Sequence, residues 1–319
     1  MFAPVVVVLS MIIIEQSSYA VLQNQEAHAI LNRDKTGTHP VEVVDPVVFE
    51  PENLDGLKAF FQENGYVVVD HVSEAKLRYD LVHLIERIAT EIPQARRLGF
   101  MDLYHDNLLA QMRQNPTLYS VFASIFGTEK LWVVFDRVMY WGKEEGDQPL
   151  APHVDQNPLK HLEFSDVQAM LALRDMNEGT GTLALVPRSQ TFFSEYAQWA
   201  RPKDGYIEYQ KEAQLPFIAP RLKAGQIILW DSRVTHSRFR DVPTSNRYAV
   251  LLTFLPAKDD SSLTDLRLQY FRDGTGWSNH EAGLRATARP RYESSLRQNP
   301  ETLTELGMKL YGLVSWFSE

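Results

Sequence analysis

From about residue 130 onward the sequence predicts an antiparallel β-barrel or β-sandwich, with helices packed outside it. Two observations carry that expectation. Short runs rich in β-branched and aromatic residues follow one another at regular spacing, and most are separated by turns rather than helices. Upstream, from about residue 50 to 126, the apolar residues recur instead at helical spacing.

In chain order, "ENLDGLKAFFQENG" places Leu54, Leu57, Phe60 and Phe61 on one helical face, with Gly65 as the stop. "YVVVDHV" reads as a strand. "SEAKLRYDLVHLIERIATEI" reads as a second helix, with Ser73 as cap and Leu77, Leu81, Leu84 and Ile88 on one face. A further helical stretch is expected over about 105–126. The β-rich series then runs through "KLWVVFDRVMYWG", "VQAMLALRDM", "GTGTLALVPRSQ", "AGQIILWD", "THSRFR" and "RYAVLLTFLP". The tail returns to helix at "NPETLTELGMKLYGLV", with Asn299 as cap and Pro300 in the first turn.

Residues 1–48 read as an N-terminal extension, and residues 49–319 as one catalytic domain. The apolar run "FAPVVVVLSMIII" is too short to cross a bilayer, which needs about twenty residues. It is either a targeting segment, with "SSYA" as a cleavage site, or an added strand. No stable membrane span is expected elsewhere, and a cytoplasmic location is the expectation. Between "LVPRSQ" and "KAGQIILWD" lies a long aromatic insertion, at about 191–222. It is either a surface helix packed on the barrel or a lid over a substrate pocket.

Composition narrows the function. The 319 residues carry a formal net charge of −9 and no basic run, which argues against a nucleic-acid partner. The chain has no cysteine, so disulfides, thiol nucleophiles and Cys-bound zinc are all excluded. Any metal must be held by histidine and carboxylate, which suits iron, manganese or zinc.

"APHVDQNP" supplies such a pair. In an extended segment, residues two apart point the same way, so His153 and Asp155 project together. By itself a His-x-Asp is close to a chance event. A third ligand is available at His236, just after the strand that ends in Trp230 and Asp231. Two histidines and one carboxylate form the facial triad of non-haem Fe(II) oxygenases, which leaves coordination positions open for substrates. The remaining histidines fall in no ligand pattern.

Taken together, "ENGYVVVDHV", "HVD", "GTLALVPRSQ", "KAGQIILWDSRVTHSR" and "NRYAVLLTF" resemble the phytanoyl-CoA dioxygenase family, over about residues 50–256. Two positions depart from the family pattern, Arg188 for its glycine and Gln190 for its histidine. The resemblance implies a double-stranded β-helix, a jelly-roll or cupin-like barrel, with Fe(II), 2-oxoglutarate and O2 as cofactor and cosubstrates. It implies His153, Asp155 and His236 as metal ligands. It also places an arginine on the far carboxylate of 2-oxoglutarate, and Arg247 stands at the right distance from His236. A planar, permanently charged guanidinium suits a dicarboxylate better than lysine does.

Thr182, Gln168 and Tyr140 are further candidate cosubstrate contacts, by analogy with polar strand residues of the family. Arg238 alternates with His236 and is a candidate anchor for an anionic substrate. Phe192 and Trp199, in the insertion, are candidate pocket walls. An aspartate at 155 argues against halogenation, since related halogenases replace it with a small residue.

The implied reaction converts 2-oxoglutarate to succinate and CO2 while a C–H bond of a small metabolite or natural product is oxidised, by hydroxylation, desaturation or ring closure. The alternatives are a jelly-roll binding protein without turnover and an oxygenase acting on a carrier- or protein-bound group. Monomer and homodimer are both open.

Overall fold

The computed structural model describes residues 32–33, 40–97, 99–144, 150, 152–159, 162–195, 202–203, 206–208, 216–239, 244–274, 276, 301 and 303–317. Two β-sheets face each other, and helices cover the outer face of one of them. The first sheet has eight strands, in the spatial order Asn32–Arg33 (β1), Pro40–Val44 (β2), Phe217–Pro220 (β14), Thr182–Leu185 (β11), His236–Phe239 (β16), His153–Val154 (β9), Tyr206–Glu208 (β13) and Pro202–Lys203 (β12). The second sheet has nine strands. Its main path runs Val48–Phe49 (β3), Tyr66–Val69 (β4), Ile227–Asp231 (β15), Val167–Ala172 (β10), Arg247–Pro256 (β17), Val138–Trp141 (β8), Phe100–Met101 (β6) and Arg96–Arg97 (β5), and Leu131–Val133 (β7) pairs with β17. The two sheets stay open rather than closing into a barrel, so of the two readings the expected double-stranded β-helix takes the sandwich form.

Alternation along the strands sorts side chains into separate cores. On β10, Val167, Ala169 and Leu171 join the helix-facing core, while Met170 and Ala172 join the core between the sheets. On β17, Tyr248, Val250, Leu252 and Phe254 face the helices and Ala249 faces inward. Because both faces are covered, β10 reads as a nearly unbroken apolar run. Helix α1 (Leu54–Asn64) and helix α2 (Ala75–Glu91) supply Leu57, Phe61, Leu81, Ile85 and Ile88 to the helix-facing core.

Several boundaries differ from expectation. The cap of α2 is Glu74 with no side-chain hydrogen bond, and Ser73 instead accepts from the Arg78 guanidinium. The stretch at 105–126 is two helices, α3 (Asn107–Arg113) and α4 (Pro116–Phe126). Pro116 cannot continue a helix but opens one, and Asn115 caps it through the Leu118 amide at 3.1 Å. "KLWVVFDRVMYWG" is likewise two strands, β7 and β8. Asp260 caps an unexpected helix, α5 (Ser261–Arg272). The last helix, α6 (Glu305–Leu310), is capped by Thr304; Asn299 and Pro300 lie outside the described residues.

The boundary expected at residue 48 also moves. Residues 40–49, read as part of an extension, supply strands to both sheets, with β2 parallel to β14 and β3 parallel to β4. The apolar run near the N-terminus lies outside the described residues. Among the described residues no helix is long and apolar enough to cross a membrane.

Buried cations fasten the C-terminal segment to this frame. Arg267, fully buried, donates to the carbonyls of Val133, Leu310 and Tyr311, and its guanidinium lies 5.0 Å from the ring centres of both Trp132 and Phe135. Burial pushes its pKa down to about 9, so it stays charged at neutral pH.

Arg188 occupies the position where the family pattern has glycine. Its φ is 66°, in the left-handed region, at the corner after β11, and its amide donates to the Asn64 carbonyl at 2.8 Å. A side chain there costs about 1 kcal/mol of backbone strain, which the exposed Glu63 contact at 3.8 Å does little to offset. Arg188→Val should destabilise by about 2 kcal/mol, because β-branching worsens the left-handed strain. Arg188→Gly should cost nothing in a urea melt. Equal losses in both variants would show that the arginine side chain, not the backbone, matters here.

Candidate metal centre

The pairing of β9 with β16 brings the two histidines together. They are antiparallel, and His153 sits directly opposite His236, so both side chains leave the same face. Their ring centres are 4.4 Å apart. Asp155 follows β9 immediately, and the backbone amides of Asp155 and Gln156 both donate to the Ser232 carbonyl. That turn swings the carboxylate between the rings. Its Oδ1 lies 3.5 Å from His153 Nε2 and its Oδ2 lies 3.2 Å from His236 Nε2. One ligand atom from each residue falls within 4.8 Å of the others.

The hydrogen bonds around this cluster show what fits at its centre. His236 Nδ1 lies 2.9 Å from the Val234 carbonyl, which can only accept, so Nδ1 carries the proton. In the neutral ring, Nε2 then turns its lone pair toward a carboxylate oxygen at 3.2 Å. Two acceptors held face to face repel each other unless a proton or a metal cation sits between them. A divalent metal meets that need, and the carbonyl–histidine link also fixes the ring for ligation. The donor set of two imidazoles and one carboxylate suits Fe(II).

Gln168, inward-facing on β10, donates its amide to Asp155 Oδ2 at 2.6 Å. It was expected as a cosubstrate contact; here it holds the ligand carboxylate. Gln156 has a comparable supporting part that the sequence reading missed. Its Oε1 accepts from Ser165 and Ser232 hydroxyls, and its amide donates to the Glu163 carbonyl, so the loop after Asp155 is tied down. Its position directly after the His-x-Asp was the available signal.

Arg247 projects from the opposite sheet. It shares the inward face of β17 with Ala249 and is 3% exposed, with Nη2 2.9 Å from Met170 Sδ. Arg238, two residues beyond His236 on the same face of β16, lies 4.0 Å over the Trp141 ring. Trp141 in turn pairs in register with Arg247. Two guanidinium groups therefore enter the space between the sheets from opposite walls.

Other expected contacts are not brought together. Thr182 shares the alternation of Ala184, away from the inner core, and its hydroxyl donates to the Pro220 carbonyl at 2.7 Å. Tyr140 lies on the helix-facing side of β8, against Tyr248 and the Arg96 guanidinium, while Met139 and Trp141 take the inward positions. A one-residue error in register flips a strand residue to the opposite face. Phe192 is 43% exposed, and the buried aromatic of that pair is Phe193. Trp199 lies outside the described residues. The described part of the insertion holds a turn of 3-10 helix at Ser189–Phe192, helical residues from 193, and strands β12, β13 and β14. Strand β13 pairs with β9, beside the cluster.

Gln168→Leu should leave the fold intact and lower Fe(II) affinity by about 10- to 100-fold, the usual cost of losing a ligand's supporting hydrogen bond. Anaerobic titration calorimetry would measure it. Unchanged affinity would show that Asp155 is oriented by other means.

Comparison with known proteins agrees with this geometry. The phytanoyl-CoA dioxygenase (PhyH) family profile matches residues 61–240. A curated relative, Ava biosynthesis cluster protein O of Aspergillus versicolor, is 23% identical over 192 residues, which span 53% of this chain and 62% of the relative. Among solved structures, GlcNAc inducible gene 2 of Candida albicans superposes with a TM-score of 0.63 at 13% identity, covering 86% of this chain and 81% of that one. The epimerase SnoN, solved with Fe3+, alpha ketoglutarate and nogalamycin RO, superposes with a TM-score of 0.51 at 17% identity, covering 65% and 85%. At these identities the structural likeness concerns the fold. With more than half its length matched, this chain belongs to the phytanoyl-CoA dioxygenase (PhyH) family.

Proposed function

We propose that this protein oxidises a C–H bond of a small natural-product or metabolite substrate at the expense of 2-oxoglutarate and O2. The observation that supports this best is the acceptor-to-acceptor approach of His236 Nε2 and Asp155 Oδ2, with His153 beside them, which asks for a bound cation. His153, Asp155 and His236 would hold Fe(II), and Arg247 would hold the far carboxylate of 2-oxoglutarate. When bound, iron would activate dioxygen, which is the oxidant, and 2-oxoglutarate would give two of the four electrons it takes up, the substrate C–H bond giving the other two.

The chain's own residues position and protect. Gln168 keeps Asp155 aimed at the metal, and the Val234 carbonyl keeps His236 in its ligating tautomer. The inner core of Val68, Met170, Leu185, Ile228 and Ala249 keeps the space between the sheets dry, which strengthens every charge interaction inside it. Arg247, nearly fully buried, presents a fork that matches a carboxylate at two points. A natural-product substrate is supported by the relative from a biosynthetic cluster and by the nogalamycin-bound epimerase. Arg238, inward-facing and poised on Trp141, favours a substrate that carries a carboxylate. Phe192, 43% exposed, would lie near an entrance rather than within the core.

The decisive assay couples O2 uptake to succinate formation in protein loaded with Fe(II) under anaerobic conditions. Slow succinate formation without substrate is expected, and His236→Ala should abolish it. A wild-type protein that binds Fe(II) but neither binds nor consumes 2-oxoglutarate would refute the proposal. For the substrate, Arg238→Ala should raise KM for a carboxylate-bearing substrate by at least tenfold, with a smaller change for 2-oxoglutarate. Equal changes in both would reassign Arg238 to the cosubstrate.

A further inference from the structure

Trp230 holds a hydrogen-bond donor that the protein itself does not use. It lies on β15, 4% exposed, with its side chain in the core between the sheets. Its indole Nε1 is buried and meets no acceptor among the described residues. An indole N–H can only donate, and folded proteins rarely leave such a donor buried without a partner. A phenylalanine would fill the same space without that penalty. The donor therefore calls for an acceptor that arrives with a bound molecule.

Two neighbours locate this donor. The indole ring centre is 5.6 Å from the ring centre of His236. In the second sheet Trp230 pairs in register with Gln168, the residue whose amide grips Asp155. Trp230 thus stands beside one metal ligand and beside the support of another. On its other side it pairs with Tyr66, whose phenol is held fully protonated by burial, with a pKa pushed up to about 12. The oxygen atoms that come nearest a ligand histidine are those bound to its metal. Where 2-oxoglutarate occupies the open positions, those oxygens are its own, and a carboxylate oxygen makes the stronger, charge-assisted bond.

We infer that the Trp230 Nε1–H donates a hydrogen bond to an oxygen of 2-oxoglutarate seated at the metal centre, which makes Trp230 a cosubstrate-positioning residue. This rests on the proposed function, and the two stand or fall on different measurements. In protein loaded with Zn(II), which supports no turnover, the six tryptophan indoles give separate proton–nitrogen resonances. The resonance lost in Trp230→Phe should move downfield when 2-oxoglutarate is added. The same variant should bind 2-oxoglutarate about tenfold more weakly, with metal affinity unchanged. Should Trp230→Phe fail to fold, the resonance is identified in the wild type as the indole most broadened when Mn(II) replaces Zn(II).

A resonance that stays in place while the wild type binds 2-oxoglutarate overturns the inference, as does an unchanged affinity in Trp230→Phe. Trp230 would then be packing alone, and the proposed function would survive. Failure of the metal-loaded wild type to bind 2-oxoglutarate would overturn both.

Discussion

The site depends on the register of one short strand pair. Strand β9 has two residues, and its antiparallel pairing with β16 sets His153 opposite His236. A shift of β9 by one residue would turn His153 out of the space between the sheets, while β16 stays held by β11, and would carry the Asp155 carboxylate away from His236. Such a short pair cannot hold its register alone. Support comes from both sides, since β11 and β13 flank β16 and β9, and the Ser232 carbonyl captures the amides of Asp155 and Gln156. The Ser232 position is fixed in turn by β15, whose five residues are all buried.

Around this pair the two sheets have different tasks. The first carries His153, His236 and Arg238, with Asp155 directly after β9. The second carries Gln168, Trp230, Trp141 and Arg247. Among the described residues, helices α1 to α6 pack on the second sheet, where they bury alternate residues of β10, β15 and β17. Polar groups can therefore occupy the inner face of that sheet while its outer face supplies much of the apolar burial that stabilises the fold. The long-range clasp of Arg267 on the C-terminal segment belongs to the same helix-covered side, away from the ligands.

Arg188 shows how a departure from a family pattern is to be read. Its backbone keeps the left-handed conformation for which glycine is the usual choice. The turn after β11 therefore survives the substitution. Gln190, the other departure, donates to the carbonyls of Gln62 and Glu63 at the end of α1 and so serves packing rather than chemistry.

The sequence by itself singled out His153, Asp155 and His236 as one candidate cluster, the order of the main β-rich runs, and Arg247 as a candidate anchor. Each of these rests on local pattern: alternation within a strand, the His-x-Asp spacing, or the family's separation between histidine and arginine. Proline and capping residues also marked where α3 gives way to α4 and where α5 begins, although those signals were read too coarsely. Only the tertiary structure decided which face of its strand each polar residue takes. Thr182 and Tyr140 point away from the site and Gln168 grips a ligand because their strands' register is set by pairing with distant segments. A single strand's alternation says which residues share a face but not which face is the inner one. That choice is made when the sheets and helices pack together, and it also left the Trp230 donor beside His236.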